Sequence, residues 1–335
     1  MTKKKFKEIL NTKKGYYNNG RLRKGIKWLS DHFDIPEQEI KEVLEEIKND
    51  KDKTEIPTSI IEIIREGNKD NVKQSVATGT VNKLNNFISE VGTYWVTGCA
   101  HAPFHNRRMY NSTYEYLVKE TDLKGIILAG DIIDANSLSA HDRGNIALPG
   151  VTLEWEYKES NKFLNDIDSL GDNLDKYFLY GNHEDRYNRL MNSVDAAKYG
   201  EALKSPIEGL NLLKRNYQVF TNWKNDVIHI GKHLDINHGE FCNVHTAKKT
   251  IDTYRKSTLY FHTHRFQIYM EGQNGGFNMG FGGDINAPIF GYATRAMKNS
   301  WVNASALVTL DNKGGFHVQP LVFMNNKLIV NGKEY

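Results

Sequence analysis

Two cysteines in 335 residues, Cys99 and Cys242, are too few for a disulfide framework and suit a reducing compartment better than an oxidising one. The chain has no apolar run of about eighteen residues, the length a membrane-spanning helix needs. Its opening residues, MTKKKFKEILNTKKG, are basic and lack the apolar stretch of a secretory signal. The cytoplasm is therefore the expected location, with no membrane partner. Proline is scarce at seven residues, and with 39% hydrophobic and 25% charged residues the composition excludes collagen-like, low-complexity and disordered classes. The length suits one large domain plus a small appendage.

Net charge is only +3, but it is unevenly spread. Residues 1–27 hold ten Lys or Arg and one acid, Glu8, giving a head of +9 against −6 for the remainder. A concentrated cationic segment attracts polyanions through counterion release, which makes nucleic acid the expected partner of the head. The plainer reading is a solvated tail that aids solubility.

Residues 21–48 carry apolar positions at helical spacing, interrupted near Asp34, Ile35 and Pro36. Ile26, Trp28, Leu29 and Phe33 line one helix face and Ile40, Val43, Leu44 and Ile47 the next, with Pro36 suited to a first turn. A shorter helix near residues 5–10 would complete a helix-turn-helix-like unit over residues 1–50. Glu37, Glu39, Glu42, Glu45 and Glu46 repel phosphate, so DNA contact would fall to the basic half; docking of a protein partner is the other reading. Residues 51–91 read as a linker with helical stretches at 58–66 and 81–90.

From residue 92 to 335 the texture changes to short apolar runs, TYWVTG, GIILAG, KYFLYG, VIHIG, LDINHG and TLYFH, alternating with helical segments at 153–170 and 247–256. Alternating buried strands and helices indicate a layered α/β domain. The last fifty residues read as a meander with turns at DNKGG and NN. The chemistry gathers just after the runs: Cys99 and His101, Asp131 and Asp134, Asn182, His183 and Glu184, His238, then His262 and His264. A lone histidine is usually structural and Gly-Asp pairs are common in turns. Five such sets after five strand-like runs, on loops that share one rim, instead indicate a multi-residue metal site.

In order, CAH, GDIID, GNHE, NHGE and HTH resemble the motifs of the calcineurin-like metallophosphoesterase superfamily over residues 93–265. The resemblance implies a four-layer αββα sandwich with two divalent ions, Mn, Fe or Zn. It implies that Asp131 bridges the ions, that one takes position 99, His101 and His264, and that the other takes Asn182, His238 and His262. It further implies a bridging hydroxide that attacks phosphorus, with His183 as the acid for the leaving oxygen and Asp134 orienting it. Two positions depart from the pattern: Cys99 stands where the family has Asp, and Phe261 where it usually has Gly. A Cys99 thiolate as ligand would favour softer ions; otherwise Cys99 is a bystander and His105 or Asp142 assists the first ion. The first reading is preferred.

The 47 residues between Asp134 and Asn182 include His141, Asp142 and Arg143. His141 and Arg143, with Arg107 and Arg108, are candidates for gripping a substrate phosphate. The glycine-rich stretch 272–283 permits close backbone approach or a mobile flap over the cleft, or is a long hairpin tip. The expected function is a phosphodiesterase or nuclease acting on DNA or RNA. The alternatives are a phosphomonoesterase or protein phosphatase whose head docks a partner, and a metal-binding scaffold without catalysis.

Overall fold

In a computed structural model of the chain, the described residues are 36–38, 40–42, 86–139, 150–193, 196 and 202–335, with the backbone of 17, 18, 21 and 22. The chain divides into two compact units, Met1–Asn82 and Lys83–Tyr335. In the first unit, Tyr17–Asn18 pairs antiparallel with Arg21–Leu22. The expected helix starting at residue 21 is thus corrected at its first two residues. The intervening Asn19-Gly20 is a strong two-residue hairpin signal, and it outweighs the apolar spacing. Glu37, Gln38, Ile40, Lys41 and Glu42 are helical after Pro36, as expected, with Ile40 buried and its N–H donating to the Pro36 carbonyl at 3.2 Å. The rest of the expected helix-turn-helix-like unit, and most of the linker, lie outside the described residues.

The second unit is built on two sheets whose central strands are apolar on both faces. Its elements begin with β1 (Phe87–Ile88) and β2 (Gly92–Thr97), helix α1 (Arg107–Glu120), β3 (Leu123–Ala129), α2 (Leu153–Asp168) and β4 (Asp175–Leu179). Then come α3 (Asp185–Met191), α4 (Pro206–Gly209), β5 (Tyr217–Phe220), β6 (Ile228–Ile230), β7 (Leu234–Ile236), α5 (Thr246–Tyr254) and β8 (Ser257–Tyr260). The chain closes with β9 (Phe266–Glu271), β10 (Asn274–Met279), α6 (Arg295–Lys298), β11 (Asn303–Leu310), β12 (Phe316–Met324), β13 (Lys327–Val330) and β14 (Lys333–Glu334). One sheet has the order β9-β10-β8-β7-β6-β1, the other β14-β13-β12-β11-β2-β3-β4-β5. In the larger sheet β2 to β5 run parallel, and the meander joins it antiparallel through β11 beside β2.

Strand alternation sorts the core into two layers. Tyr94, Val96, Ile127, Ala129, Tyr177 and Leu179 point to the space between the sheets, where they meet Ile228, Ile236, Leu259 and Met279. Their neighbours Trp95, Ile126, Leu128 and Phe178 point outward beneath α1 and α2, against Tyr110, Leu117, Phe163 and Leu164. Burial on both sides explains why these strands read as continuous apolar runs. Helix α1 starts at Asn106, whose side chain accepts from the Met109 N–H at 3.1 Å, and α2 starts at Thr152, which accepts from Trp155 at 3.2 Å. Helix α5 covers the smaller sheet so closely that a Cβ at Gly276 would stand 2.4 Å from the Ala247 carbonyl. The result is the four-layer αββα arrangement that the motifs imply.

Two local expectations are corrected. The stretch 81–90 is not wholly helical, because Phe87–Ile88 forms a strand paired with β6. The glycine-rich stretch is neither flap nor long tip but serves the close backbone approach it permits: Gly272 makes the β9–β10 turn at φ +60°, residues 275–283 are buried, and a Cβ at Gly280 would stand 2.2 Å from the Val302 carbonyl. Among the described residues no helix is long and apolar enough to cross a membrane.

Candidate metal centre

Because β2, β3 and β4 are parallel, their carboxyl ends share one edge of the larger sheet, and β7 and β8 do the same in the smaller sheet. The loops leaving these ends continue the pairing: Cys99 N–H donates to Gly130 O at 2.9 Å, His101 N–H to Asp131 O at 2.9 Å and Ala102 N–H to Ile132 O at 2.7 Å. Cys99, His101, Asp131, His262 and His264 all have φ between 45° and 61°. Such conformations cost a non-glycine residue about 1–3 kcal/mol, persist where the surroundings impose them and cluster at functional sites.

The seven residues expected as ligands come together. The Cys99 thiol, His101 and His264 offer donor atoms within 4.8 Å of one another, and Cys99, Asp131 and His238 form a second such group. His101 Nε2 lies 3.0 Å from His264 Nε2. On the other side His238 Nε2 lies 3.0 Å from Asn182 Oδ1, 3.2 Å from Asp131 Oδ2 and 3.2 Å from His262 Nδ1.

These approaches join atoms that bear lone pairs, which tests whether cations fit. His101 Nδ1 is committed to the Asp134 carboxylate at 2.9 Å, so its Nε2 faces His264 with a lone pair. His238 Nδ1 donates to the Ala129 carbonyl at 3.1 Å, turning Nε2 toward two oxygen acceptors. Acceptors facing acceptors repel unless a proton or a cation lies among them, and imidazole, carboxylate, amide and thiol donors suit Mn, Fe or Zn. The chain's residues fit the ions that the motifs imply.

The electrostatics follow from burial. Burial, then the neighbouring His101, holds His264 far below its ordinary pKa, and burial with His238 lowers His262 to about 4. Burial lowers His101 as well, with His183 adding to it. Burial opposes charge on His238, but the Asp131 carboxylate outweighs it and raises the pKa. Asp131 itself is held well below its usual range, because His183 and His238 overcome its burial. Burial and then Asp131 push the Cys99 thiol up, while the His262 backbone N–H pulls it down.

His183 sits at the open edge. Its Nδ1 lies 2.7 Å from the Asp134 carbonyl and 3.2 Å from the Asp134 carboxylate, and its Nε2 lies 3.8 Å from Asp131 Oδ2. Burial works against its charged form, yet Asp131 and Asp134 raise its pKa despite the opposing Arg186. One carboxylate, Asp134, thus holds both His101 and His183.

Three expected residues stand elsewhere. Arg107 and Arg108 line a groove with Asp284, Asn286 and Asn326, and none of the seven lines it. The His105 ring packs 4.3 Å from Phe163, so it does not replace Cys99 in the cluster. His141, Asp142 and Arg143 lie outside the described residues. Phe261, in place of the usual glycine, is fully buried over Gly98, where a Cβ would stand 2.6 Å from the phenyl ring.

Several supporting contacts were not assigned from the sequence. The Glu184 carboxylate accepts the backbone N–H groups of Asp131, Ile132, Ile133 and Gly181, tying the second motif to the third. Gly181 is required there, since a Cβ would lie 2.1 Å from Asp131 Oδ1. Arg186, three residues after His183, donates to the Asp134 carbonyl at 2.8 Å and stands 3.3 Å from His183 Nε2. Cys242 Sγ lies 3.1 Å from His262 Nε2 and fixes that ring with Nδ1 toward the cluster. Phe281 stacks on His264 at 4.7 Å with Trp301 edge-on at 4.6 Å. Of these, Gly181 and Glu184 lie inside GNHE, and Arg186 follows His183 at helical spacing.

The family model for calcineurin-like phosphoesterases matches residues 92–275, the segment that carries all five loops. The chain belongs to the calcineurin-like phosphoesterase family. It is similar to solved structures of Vps29 from Cryptosporidium parvum, at 14% identity and TM-score 0.39 over 73% of this chain and 96% of that one. It is also similar to a putative 5'-nucleotidase from Staphylococcus aureus, at 12% identity and TM-score 0.36 over 68% of this chain and 52% of that one. A Vps29 from Entamoeba histolytica complexed with zinc matches at 12% identity and TM-score 0.33, over 69% of this chain and 99% of that one. A comparison with curated proteins gave no match. The family membership rests on the matched segment and not on these distant likenesses.

Proposed function

We propose that this phosphoesterase binds two divalent ions and hydrolyses phosphodiesters of DNA or RNA. The observation that carries the reading is the convergence of Cys99, His101, Asp131, Asn182, His238, His262 and His264, lone pairs inward, with His183 at the open edge. Cys99, His101 and His264 would hold one ion, Asn182, His238 and His262 the other, and Asp131 would serve both. Bound there, the ions would supply an activated water and neutralise charge on phosphoryl oxygens.

The remaining work falls to the chain's own groups. Asp134 accepts from His101 Nδ1 and thereby keeps Nε2 free for ligation. The same carboxylate and Asp131 favour the protonated His183 ring, whose Nδ1 is occupied by the Asp134 carbonyl, so Nε2 is the atom that would give a proton to the leaving oxygen. Glu184 locks the loops bearing Asp131 and Asn182, which fixes the distance between the two halves of the cluster. Cys99 as a thiolate ligand would shift the preference toward zinc or iron.

The +9 head supports a polyanionic substrate, since counterion release strengthens binding to nucleic acid but adds little for a small monoester. The test offers the full chain with Mn or Zn single- and double-stranded DNA, RNA, bis-p-nitrophenyl phosphate and p-nitrophenyl phosphate. Cleavage of the diesters, with nucleic-acid affinity falling steeply with salt, is the expected result. Hydrolysis of the monoester alone would favour the phosphomonoesterase reading, and no turnover with any metal would favour a scaffold.

A further inference from the structure

Trp223 stands directly beside the half of the cluster formed by Asn182, His238 and His262. Its ring centroid lies 6.3 Å from that of His262, inclined by 36°, and 6.3 Å from that of His238. The indole is held in place: Nε1 donates to Asp185 Oδ2 at 3.1 Å, and Arg189 Nε in turn meets Asp185 at 3.3 Å. A tryptophan fixed by a hydrogen bond at a partly exposed position presents its face at little entropic cost.

The indole opens onto a groove of about 280 Å³ lined also by Asn225, Asn237, Gly239 and Thr258. Asn237 and Gly239 flank His238, so the groove begins where the cluster ends. Its wall offers the amides of Asn225 and Asn237 beside one flat aromatic surface, the Thr258 hydroxyl being donated to the Lys256 carbonyl at 3.1 Å. The groove's carboxylates are already engaged, Asp235 by Lys256, Asp226 by the Asn222 N–H and Glu240 by the Tyr254 hydroxyl. The ammonium of Lys224, on an exposed side chain, stands 5.6 Å from the indole centroid. Such a lysine can yield to a planar ring and turn its charge toward an adjoining phosphate.

We propose that this groove binds a nucleobase, stacked on Trp223 and hydrogen-bonded at its edge by Asn225 or Asn237, while the attached phosphate lies at the metal cluster. A flat heterocycle with donors and acceptors along its rim matches this wall, whereas a sugar phosphate brings only C–H groups to the indole and a phosphoserine peptide brings no ring at all. The proposal deepens the phosphodiesterase reading and rests on it only for the place of the phosphate. A free nucleotide and a nucleic-acid strand share this chemistry, and the experiment separates them.

Isothermal titration of the metal-loaded full chain with AMP and with ribose 5-phosphate isolates the contribution of the base. AMP should bind about 5- to 150-fold more tightly, the equivalent of roughly 1–3 kcal/mol for one base on one aromatic ring. Trp223→Leu, which keeps an apolar side chain without an aromatic face, should abolish that ratio, and Trp223→Phe should keep most of it. Ribose 5-phosphate should bind all three proteins equally, which reports intact folding and ion content. A 5'-phosphorylated trinucleotide binding more tightly than AMP identifies a strand as the source, and equal affinity identifies a free nucleotide. AMP binding no more tightly than ribose 5-phosphate, or a ratio that survives Trp223→Leu, overturns the proposal. An intact base ratio in a protein that hydrolyses no diester would reject the phosphodiesterase reading and leave the groove standing.

Discussion

Glu184→Gln isolates what holds the metal loops in register. The side chain is fully buried, and its Oε2 accepts from Asp131 N at 2.9 Å and Gly181 N at 2.8 Å, while Oε1 accepts from Ile132 N at 2.7 Å and Ile133 N at 3.0 Å. Burial and the neighbouring Asp131 raise its pKa. Even so, the four groups bonded to it are all donors, so a carboxyl proton there has no acceptor to point at, and the carboxylate stays ionised at neutral pH. Glutamine keeps the shape but turns one oxygen into an NH₂. Whichever way the amide is placed, two backbone N–H groups then face a donor. Each charge-assisted bond lost costs about 1.5–3 kcal/mol, so the substitution should remove roughly 3–6 kcal/mol. That is a large share of the roughly 5–15 kcal/mol that stabilises a typical domain. Urea denaturation at pH 7 measures the loss, and zinc titration should show weakened ion binding, because the clamped N–H groups belong to the loops bearing Asp131 and Asn182. A change below about 1 kcal/mol with unaltered zinc affinity would refute the reasoning.

The same geometry sets four other outcomes. Gly181→Ala places a Cβ 2.1 Å from Asp131 Oδ1 and should cost about 1–3 kcal/mol and most ion binding, whereas Gly272→Ala, with nothing within 4 Å, should cost only the strain of its left-handed φ; metal analysis and thermal melts compare them. His183→Ala should lower turnover about 10²- to 10⁴-fold while ion content measured by mass spectrometry stays at the wild-type level. Cys99→Ala should lose an ion and Cys99→Asp should restore the count with altered metal preference, as read by competitive metal binding. Glu156 is buried and its pKa is raised to about 7, by burial first and then by Asp134. The folded state therefore favours the protonated form, and stability should fall as pH rises from about 4.5 to about 7, by about 3 kcal/mol in all. In Glu156→Gln that part of the pH dependence should vanish; parallel urea midpoints for the two proteins between pH 5 and pH 8 would contradict it.

The strands were legible because the sandwich buries both of their faces. GIILAG and KYFLYG have no polar side to confuse the pattern, and they form β3 and β4. The cluster was legible because its members come directly after those strands. Helix α1 was not, since RRMYNSTYEYLVKE mixes Tyr, Asn, Ser and Thr of modest helix propensity and is held by burial of Tyr110, Tyr116 and Leu117. The role of Gly282 was equally hidden: it approaches the Tyr110 hydroxyl and donates its N–H to the Cys99 carbonyl at 3.0 Å, a long-range contact that no local pattern encodes. Trp223 and Cys242 reach His262 from loops outside every motif. The hairpin at Tyr17–Asn18 and Arg21–Leu22 shows the reverse case, where a two-residue turn signal overrides apolar spacing nearby.

The central claim is that seven side chains from five loops hold a pair of cations. Anomalous scattering from crystals grown with manganese or zinc tests it most directly. Two peaks are expected, one among Cys99, His101 and His264 and one among Asn182, His238 and His262, with Asp131 touching both. A single peak, or none within reach of Asp131, would contradict it.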